Sequence, residues 1–352
     1  MQNGRAERCL LVLIQQESAS TIMQGKEKEI LNTNKIADQS AAAVPFSSRS
    51  EKDRLLSKII ANRFIYLLIL PGFIFFLVFK LFPMWMLLIA FQDYSPFSGI
   101  SGSEWVGFAH FSELLGDPKF FVLLRNTLAI NLISLIFFFP LPIVLAIMLN
   151  EVRHEWFKKL NQTIVYLPHF LSWIVIVSMT FFVLSVDVGF LNKLMVNLGM
   201  NSISFLSEPQ YFWGILTLQN IWKEAGWGTI IFLAAIAAVD TQQYEAAVID
   251  GAGRFKQIWH ITLPAIRPTI VILLILRLGH IADVGFEQVL LMMNPLVHNV
   301  AEVFDTYSYT LGILQGNVSI GTAVGLFKGV VGFIFVWSAN YTVKKLGHEG
   351  IY

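Results

Sequence analysis

The sequence is short of charged residues. Asp, Glu, Lys and Arg make up only 14% of its 352 residues, whereas a soluble domain usually carries roughly 25%. Hydrophobic residues make up 55%, including 30 Phe and 9 Trp. A soluble core cannot bury that much apolar surface, so most of it is expected to face lipid. This composition excludes an ordinary soluble globular protein.

Cysteine is nearly absent, and no catalytic motif is present. Cys9 is the single cysteine, which excludes a disulfide framework or a cysteine-based metal site within one chain. We find no His-rich metal spacing, nucleophile elbow or phosphate-binding loop, so we predict no catalytic residue, no metal ligand and no bound cofactor. The formal net charge of +1 gives no indication of a nucleic-acid partner.

Residues 1–63 lack an apolar run long enough to cross a membrane. Their one short run, Cys9–Ile14, is also too short for a signal peptide. Because the region is rich in Ser, Gln, Asn, Lys and Glu, we predict a disordered cytoplasmic tail. Met23 is a second candidate start, which leaves open whether residues 1–22 belong to the natural product.

The remainder of the chain alternates long apolar segments with short polar ones. About 20 helical residues are needed to cross the hydrocarbon, and only helices or closed barrels satisfy their backbone there. We therefore predict an all-α protein whose membrane domain, residues 64–345, is followed by a short cytoplasmic tail at 346–352. Pro168 and other internal prolines predict kinks. The six predicted spans are 64–91, 121–149, 163–186, 211–238, 269–291 and 321–343.

Lysine and arginine are distributed unequally between the two sets of connecting segments. The N-terminal tail, 150–162, 239–268 and the C-terminus together hold eighteen. The alternate segments hold two, Lys119 and Lys193. Since basic residues stay on the cytoplasmic side, we expect both termini in the cytoplasm.

The connection between the fourth and fifth predicted spans, 241–267, is too apolar for a solvated loop and too charged for a span. It predicts two short amphipathic helices joined at Gly251–Gly253, since glycine turns at positive φ without steric cost. The second helix would present Phe255 and Trp259 on an apolar face and end at Pro264. Such a hairpin suits a protein partner.

This segment resembles the EAA loop of permease subunits in binding-protein-dependent ABC importers. The family pattern is Glu-Ala-Ala, three residues, Gly, nine residues, Ile, one residue, Leu-Pro, and both spacings match. The resemblance implies that the loop docks on a separate ATPase subunit. The predicted coupling residues are Glu245, Ala246, Ala247, Asp250, Gly251, Phe255, Ile261, Leu263 and Pro264.

Further short segments are similar to the branch of this family that handles oligosaccharides and polysaccharides. They include Asn150–Arg153, Tyr166–Phe170 and Gly226–Ala235. The resemblance implies the type I permease fold, a bacterial plasma-membrane location and half of a sugar pathway. Implied partners are a second homologous permease, an ATPase dimer and an extracytoplasmic solute-binding protein. Since this chain has no Walker A pattern, the partner ATPase would bind ATP and Mg²⁺.

The fourth predicted span contains an unusual polar interruption, Asn220–Gly228. Sugars stack on aromatic faces while amides and charges satisfy their hydroxyls, and broken helices are frequent transport sites. The alternative is that these residues sit in the headgroup zone with tryptophans as anchors. The predicted substrate-path residues are Asn220, Trp222, Lys223, Glu224 and Trp227.

Other polar residues in the spans have simpler interpretations. Lys80, Arg125 and Arg277 are typical of side chains that snorkel or pair between helices. His169, beside Pro168, is expected to pack and bond a freed carbonyl.

Two other functions are alternatives to an importer permease. An ion-driven carrier would use Asp283 and Glu287 for coupling but would leave the 241–267 hairpin unexplained. A membrane enzyme would need a catalytic motif, which the sequence lacks. The substrate stays open between oligosaccharides, simpler sugars, glycerol-phosphate-type solutes and peptides.

Overall fold

The computed structural model describes residues 61–347 and Gly350. The predicted tail therefore lies outside the described residues up to position 60, as do Cys9 and Met23. The chain divides into two compact units, Met1–Lys80 and Leu81–Tyr352. In the first unit, helix α1 (Arg63–Phe76) leads into a π-helical segment that begins at Leu77.

The second unit opens with a 3₁₀ segment, Phe82–Phe91, and has one two-stranded antiparallel sheet in its described part, β1 (Gln92–Asp93) with β2 (Glu104–Trp105). The remaining α-helices are α2 (Gly99–Gly102), α3 (Ala109–Gly116), α4 (Lys119–Phe137), α5 (Pro140–Glu151), α6 (Glu155–Tyr166), α7 (Trp173–Leu184), α8 (Phe190–Asn197), α9 (Pro209–Ala237), α10 (Thr241–Ile249), α11 (Arg254–Gln257), α12 (Leu263–Gly279), α13 (Phe286–Met292), α14 (His298–Ala301), α15 (Phe304–Tyr309) and α16 (Val318–Lys345).

Four helical stretches are long and apolar enough to cross a membrane. They are Arg63–Phe91, Lys119–Glu151, Arg254–Gly279 and Val318–Lys345. Two bent pairs raise the number to six if each is one span: Glu155–Phe170 with Trp173–Leu184, and Pro209–Ala237 with Thr241–Ile249. These elements correspond to the six predicted spans, and the predicted all-α class is confirmed.

The third predicted span is not one straight helix. The sequence analysis placed it at 163–186, but α6 passes into a 3₁₀ turn, Leu167–Phe170, and α7 starts afresh at Trp173, bent by 101°. Pro168 lacks the N–H that would continue the α-helical ladder. Ser172 begins the new helix, since its hydroxyl accepts a hydrogen bond from the Val175 N–H at 3.4 Å.

The fifth predicted span, 269–291, was also misplaced. The helix begins earlier, at Arg254, and stops at Gly279, after which α13 is a separate helix. Pro264 does not end the second hairpin helix as predicted. A π-helical turn, Ile258–Thr262, directly precedes it, and the helix runs on as α12. A π turn breaks the regular i→i−4 ladder, so proline's missing donor costs little at this point.

Helix α9 is the central element of the second unit. It runs unbroken for 29 residues, so the polar stretch Asn220–Gly228 does not break the helix backbone. Its buried Phe212 and Leu216 belong to one apolar cluster with parts of α4, α7 and α13. Nearer the C-terminal end of α9, Phe232 packs in a second cluster with α5 and α12. Because α9 packs in one cluster near each of its ends, it fixes the positions of the helices around it.

The helices α12 and α16 cross at two glycines. A Cβ added at Gly332 would lie 2.4 Å from the carbonyl oxygen of Gly279, which is backbone and cannot rotate away. Small residues permit this close approach between membrane helices.

We predict that Gly332→Ala weakens this crossing, by about 1–3 kcal/mol as for other overpacked sites. The matched control is Gly329→Ala on the same helix, where an added Cβ meets nothing within 4 Å. Thermal unfolding of the purified complex in detergent should show a lower Tm for Gly332→Ala alone. Equal losses in both variants would contradict the close crossing.

Candidate functional site

The 241–267 segment forms the predicted helical hairpin. Helix α10 starts after Asp240, whose carboxylate accepts a hydrogen bond from the Gln242 N–H at 2.9 Å. The chain then reverses at Gly251, which has φ +74°, and the Ala252 N–H bonds the Ala247 carbonyl at 2.8 Å. Helix α11 starts at Arg254. The prediction of two helices joined at Gly251–Gly253 is confirmed.

Two side-chain bonds hold the hairpin in place, one within it and one to the rest of the second unit. The hydroxyl of Tyr244 shares a 3.0 Å hydrogen bond with that of Thr262, which is buried. Arg254 forms a 2.9 Å ion pair with Glu151 at the end of α5. The hairpin is therefore bonded both to the turn that leads into α12 and to the end of α5.

The tip of the hairpin exposes large apolar side chains. Ile249 is 86% exposed and Phe255 is 77% exposed, with Val248 beside them. Of the predicted coupling residues, Glu245, Ala246, Asp250 and Gly251 are exposed at the same tip, and Ala247 is half-buried. Ile261 and Leu263 are half-buried and lie with the exposed Pro264 at the base, within the continuous helix. The accessible surface is thus the stretch from Glu245 to Phe255.

On α9, Lys223 forms hydrogen bonds with the bend between α6 and α7. Its ammonium donates hydrogen bonds to the carbonyl oxygens of His169 and Leu171, at 2.7 and 2.6 Å. The break in the helix leaves such carbonyls without an intrahelical partner. Lys223 is only 8% exposed. Its ammonium therefore stabilises the bend.

Glu224 and Trp227 hold the same bend through His169. The imidazole Nδ1 donates to the Glu224 carboxylate at 2.8 Å. Trp227 stacks on the imidazole, with ring centroids 4.4 Å apart and an interplanar angle of 5°. His169 therefore bonds a carboxylate, whereas the sequence analysis expected it to bond a freed carbonyl.

The two remaining substrate-path candidates line different cavities. Trp222 borders an apolar cavity of about 280 Å³ between α7 and α9. Asn220 borders a polar cavity of about 110 Å³. The five predicted residues therefore do not form one site: three stabilise the bend, and two face separate spaces.

The polar cavity brings together side chains that the sequence analysis did not group. Its polar lining is Asn131, Ser134, Asn220, Arg277, Asp283 and Gln288, with Trp173 at one wall. Asn131 and Ser134 lie on the buried face of α4, together with Asn126 and Thr127. Their recurrence every three to five residues in an apolar helix was the signal available in the sequence.

A charged cluster adjoins this cavity, and the sequence analysis missed two of its members. Lys328 on α16 pairs with Asp283 and with Asp305. His280 Nδ1 lies 3.1 Å from the second oxygen of Asp283. The cluster ties α16 to the segments before α13 and within α15.

Residues 138–348 match the family described as "Binding-protein-dependent transport system inner membrane component". The chain belongs to this family. The matched range includes the whole hairpin, so the permease predicted from the hairpin pattern is confirmed.

Three similar proteins illustrate this permease relationship. The polygalacturonan/rhamnogalacturonan transport system permease protein YteP of Bacillus subtilis (strain 168) is 54% identical over 320 residues, covering 90% of this chain and all of YteP. Protein LplB of the same organism is 55% identical over 291 residues, covering 83% of this chain and 92% of LplB.

A solved structure is also similar. One chain of a bacterial alginate ABC transporter, crystallised in complex with an alginate pentasaccharide-bound periplasmic protein, superposes with a TM-score of 0.77. It is 40% identical, and the match covers 85% of this permease and 100% of that chain. The type I permease fold is therefore confirmed.

We predict that Lys223→Met destabilises the permease, because the carbonyls of His169 and Leu171 lose their donor. Each unsatisfied buried group costs about 1–3 kcal/mol. The matched control is Lys193→Met, which removes an exposed lysine. Fluorescence-detected size exclusion measures the Tm of both variants and their amounts in the membrane. Both values should be lower for Lys223→Met than for Lys193→Met. An unchanged Lys223→Met protein would contradict the structural role.

Proposed function

We propose that this permease forms half of a transmembrane pathway for an oligosaccharide or polysaccharide fragment, driven by a separate ATPase. The observation that carries the proposal is the exposed hairpin tip around Ile249 and Phe255 in a permease of this family. Exposed apolar patches on otherwise polar surfaces mark protein interfaces. The ATPase partner would bind ATP and Mg²⁺, and this chain would act without its own ATPase site.

The hairpin's attachments support a coupling role. Motion of a docked ATPase would reach α12 through the Tyr244–Thr262 hydrogen bond and α5 through the Arg254–Glu151 ion pair. Both α5 and α12 pack on α9, the helix that borders the polar cavity. A contiguous set of packed elements thus connects the docking surface with the candidate pathway.

A sugar substrate is supported by the relatives and by the cavity. YteP is named for polygalacturonan and rhamnogalacturonan, and the matched structure is an alginate ABC transporter. The cavity combines amides, a hydroxyl and an indole, which are the groups that bind sugar hydroxyls and ring faces.

The remaining partners follow from the same relationship. We propose a second homologous permease that completes the pathway, an ATPase dimer at the hairpin and an extracytoplasmic solute-binding protein. The matched alginate transporter was crystallised with such a periplasmic protein.

The carrier alternative loses support from the charged cluster. It needs a carboxylate that can exchange an ion, but both oxygens of Asp283 are engaged by Lys328 and His280. Glu287 is exposed on α13.

The test of coupling is Phe255→Ala. Since this side chain is 77% exposed, its truncation should leave Tm unchanged while uptake and substrate-stimulated ATP hydrolysis both fall at least about tenfold, as for an interface hot spot. Uptake of labelled galacturonan and alginate trisaccharides, normalised to permease in the membrane, measures this. Phe255→Leu, which keeps an apolar side chain, is the control and should retain most activity. Normal uptake by Phe255→Ala would remove the proposed docking role.

We further propose that both termini and the hairpin face the cytoplasm, since eighteen basic residues lie on that side and two on the other. Fusions truncated after Gln243 should give active cytoplasmic reporter, and fusions after Met200 should not. Reporter activity after Met200 would overturn this orientation.

A further inference from the structure

Arg277 is a cation without a directly bonded anionic partner among the described residues. Its guanidinium donates one hydrogen bond, to the Ser134 hydroxyl at 3.1 Å, and lies 5.8 Å from the centroid of the Phe138 ring. It forms no ion pair within residues 61–347. A charge inside a membrane span is costly unless it faces a cavity or a partner. Arg277 borders the polar cavity, so the cavity is where its partner belongs.

The nearby carboxylates are committed elsewhere. Asp283 borders the same cavity, but one oxygen pairs with Lys328 and the other lies 3.1 Å from His280 Nδ1. Glu224 accepts from His169 at 2.8 Å and lies 3.8 Å from Lys223. Glu224 attracts Arg277 at longer range, but neither carboxylate forms an ion pair with it.

Other groups around the cavity suit a sugar ring. Asn131 and Gln288 already donate to backbone carbonyls, of Ile281 at 2.8 Å and of Leu216 at 2.9 Å, which fixes their orientation. Within the described part of the chain, the Asn220 amide has no side-chain hydrogen bond and borders the cavity. Trp173 borders the cavity too; the Lys223 ammonium lies 5.5 Å from its ring centroid, which leaves the opposite ring face for a sugar. A cation, an amide and an indole therefore border one small space.

We propose that Arg277 binds the carboxylate of an acidic sugar unit as it passes through this cavity, with Asn220 bonding a ring hydroxyl and Trp173 stacking on the ring. The inference rests on the proposed function and narrows its substrate class to uronate-containing oligosaccharides. The cavity is small, with a volume of about 110 Å³, so Arg277 would bind one sugar unit at a time. A guanidinium forms paired, charge-assisted bonds with a carboxylate.

The experiment uses the assembled transporter with its ATPase and binding protein in proteoliposomes. The probes are trigalacturonate and its methyl ester, each supplied above the concentration that saturates the binding protein. The ratio of acid to ester uptake is measured for wild type, Arg277→Gln and Arg277→Lys. Lys193→Gln, which removes an exposed cation outside the cavity, is the control.

We expect wild type and Lys193→Gln to prefer the acid. Arg277→Gln should lose that preference by about tenfold or more, since charge-assisted bonds exceed neutral ones, and Arg277→Lys should keep part of it. An unchanged ratio in Arg277→Gln, or a wild type without preference, overturns the inference. Failure of both Arg277 variants to assemble also overturns it, because Arg277 would then pair with the neighbouring subunit. If wild type imports neither probe, the proposed oligosaccharide function itself fails.

Discussion

The ammonium of Lys223 on two backbone carbonyls is the interaction on which the rest of the second unit depends. The 101° bend between α6 and α7 frees the carbonyls of His169 and Leu171, and Lys223 satisfies both from α9. In an apolar surrounding an unsatisfied carbonyl is expensive, and a lysine without partners is more so. The ammonium and the two carbonyls therefore satisfy one another, and their hydrogen bonds fix the bend against helix α9.

Fixing that bend determines which side chains meet around α9. The start of α7 brings Trp173 to the wall that Asn220 and Arg277 share, so an aromatic face and a cation border one polar space. His169 bonds Glu224 and stacks on Trp227, and these contacts hold the turn between α6 and α7 against α9. The cavity is therefore a consequence of the bend.

The hairpin and the cavity are connected by the same helices. Helix α12 continues from the hairpin through the π turn Ile258–Thr262, and its last turn places Arg277 beside the cavity. A continuous helix transmits displacement with little loss, whereas a helix ended at Pro264 would have isolated the hairpin from the membrane part. The irregular turn before that proline is what preserves the continuity.

The membrane class, the span count and the coupling hairpin could be read from the sequence because their causes are local. Lipid demands about 20 apolar residues per span, and Gly251 marks the turn wherever the hairpin packs. The ends of the third and fifth spans could not be predicted from local sequence in this way. Whether Pro168 breaks a helix and Pro264 does not depends on neighbours such as Lys223 and on the π turn, which one-dimensional patterns do not contain.

The polar residues of α9 show the same division. Their types and spacing indicated that the segment matters, and the sequence by itself determined that much. Only tertiary structure decided their roles. Lys223 and Glu224 bond a bend formed 54 and 55 residues earlier in the chain, and Trp227 stacks on the same bend, while Asn220 borders one cavity with Arg277 of another helix. A charged side chain in a membrane span takes its role from the partner it reaches, and that partner is set by packing.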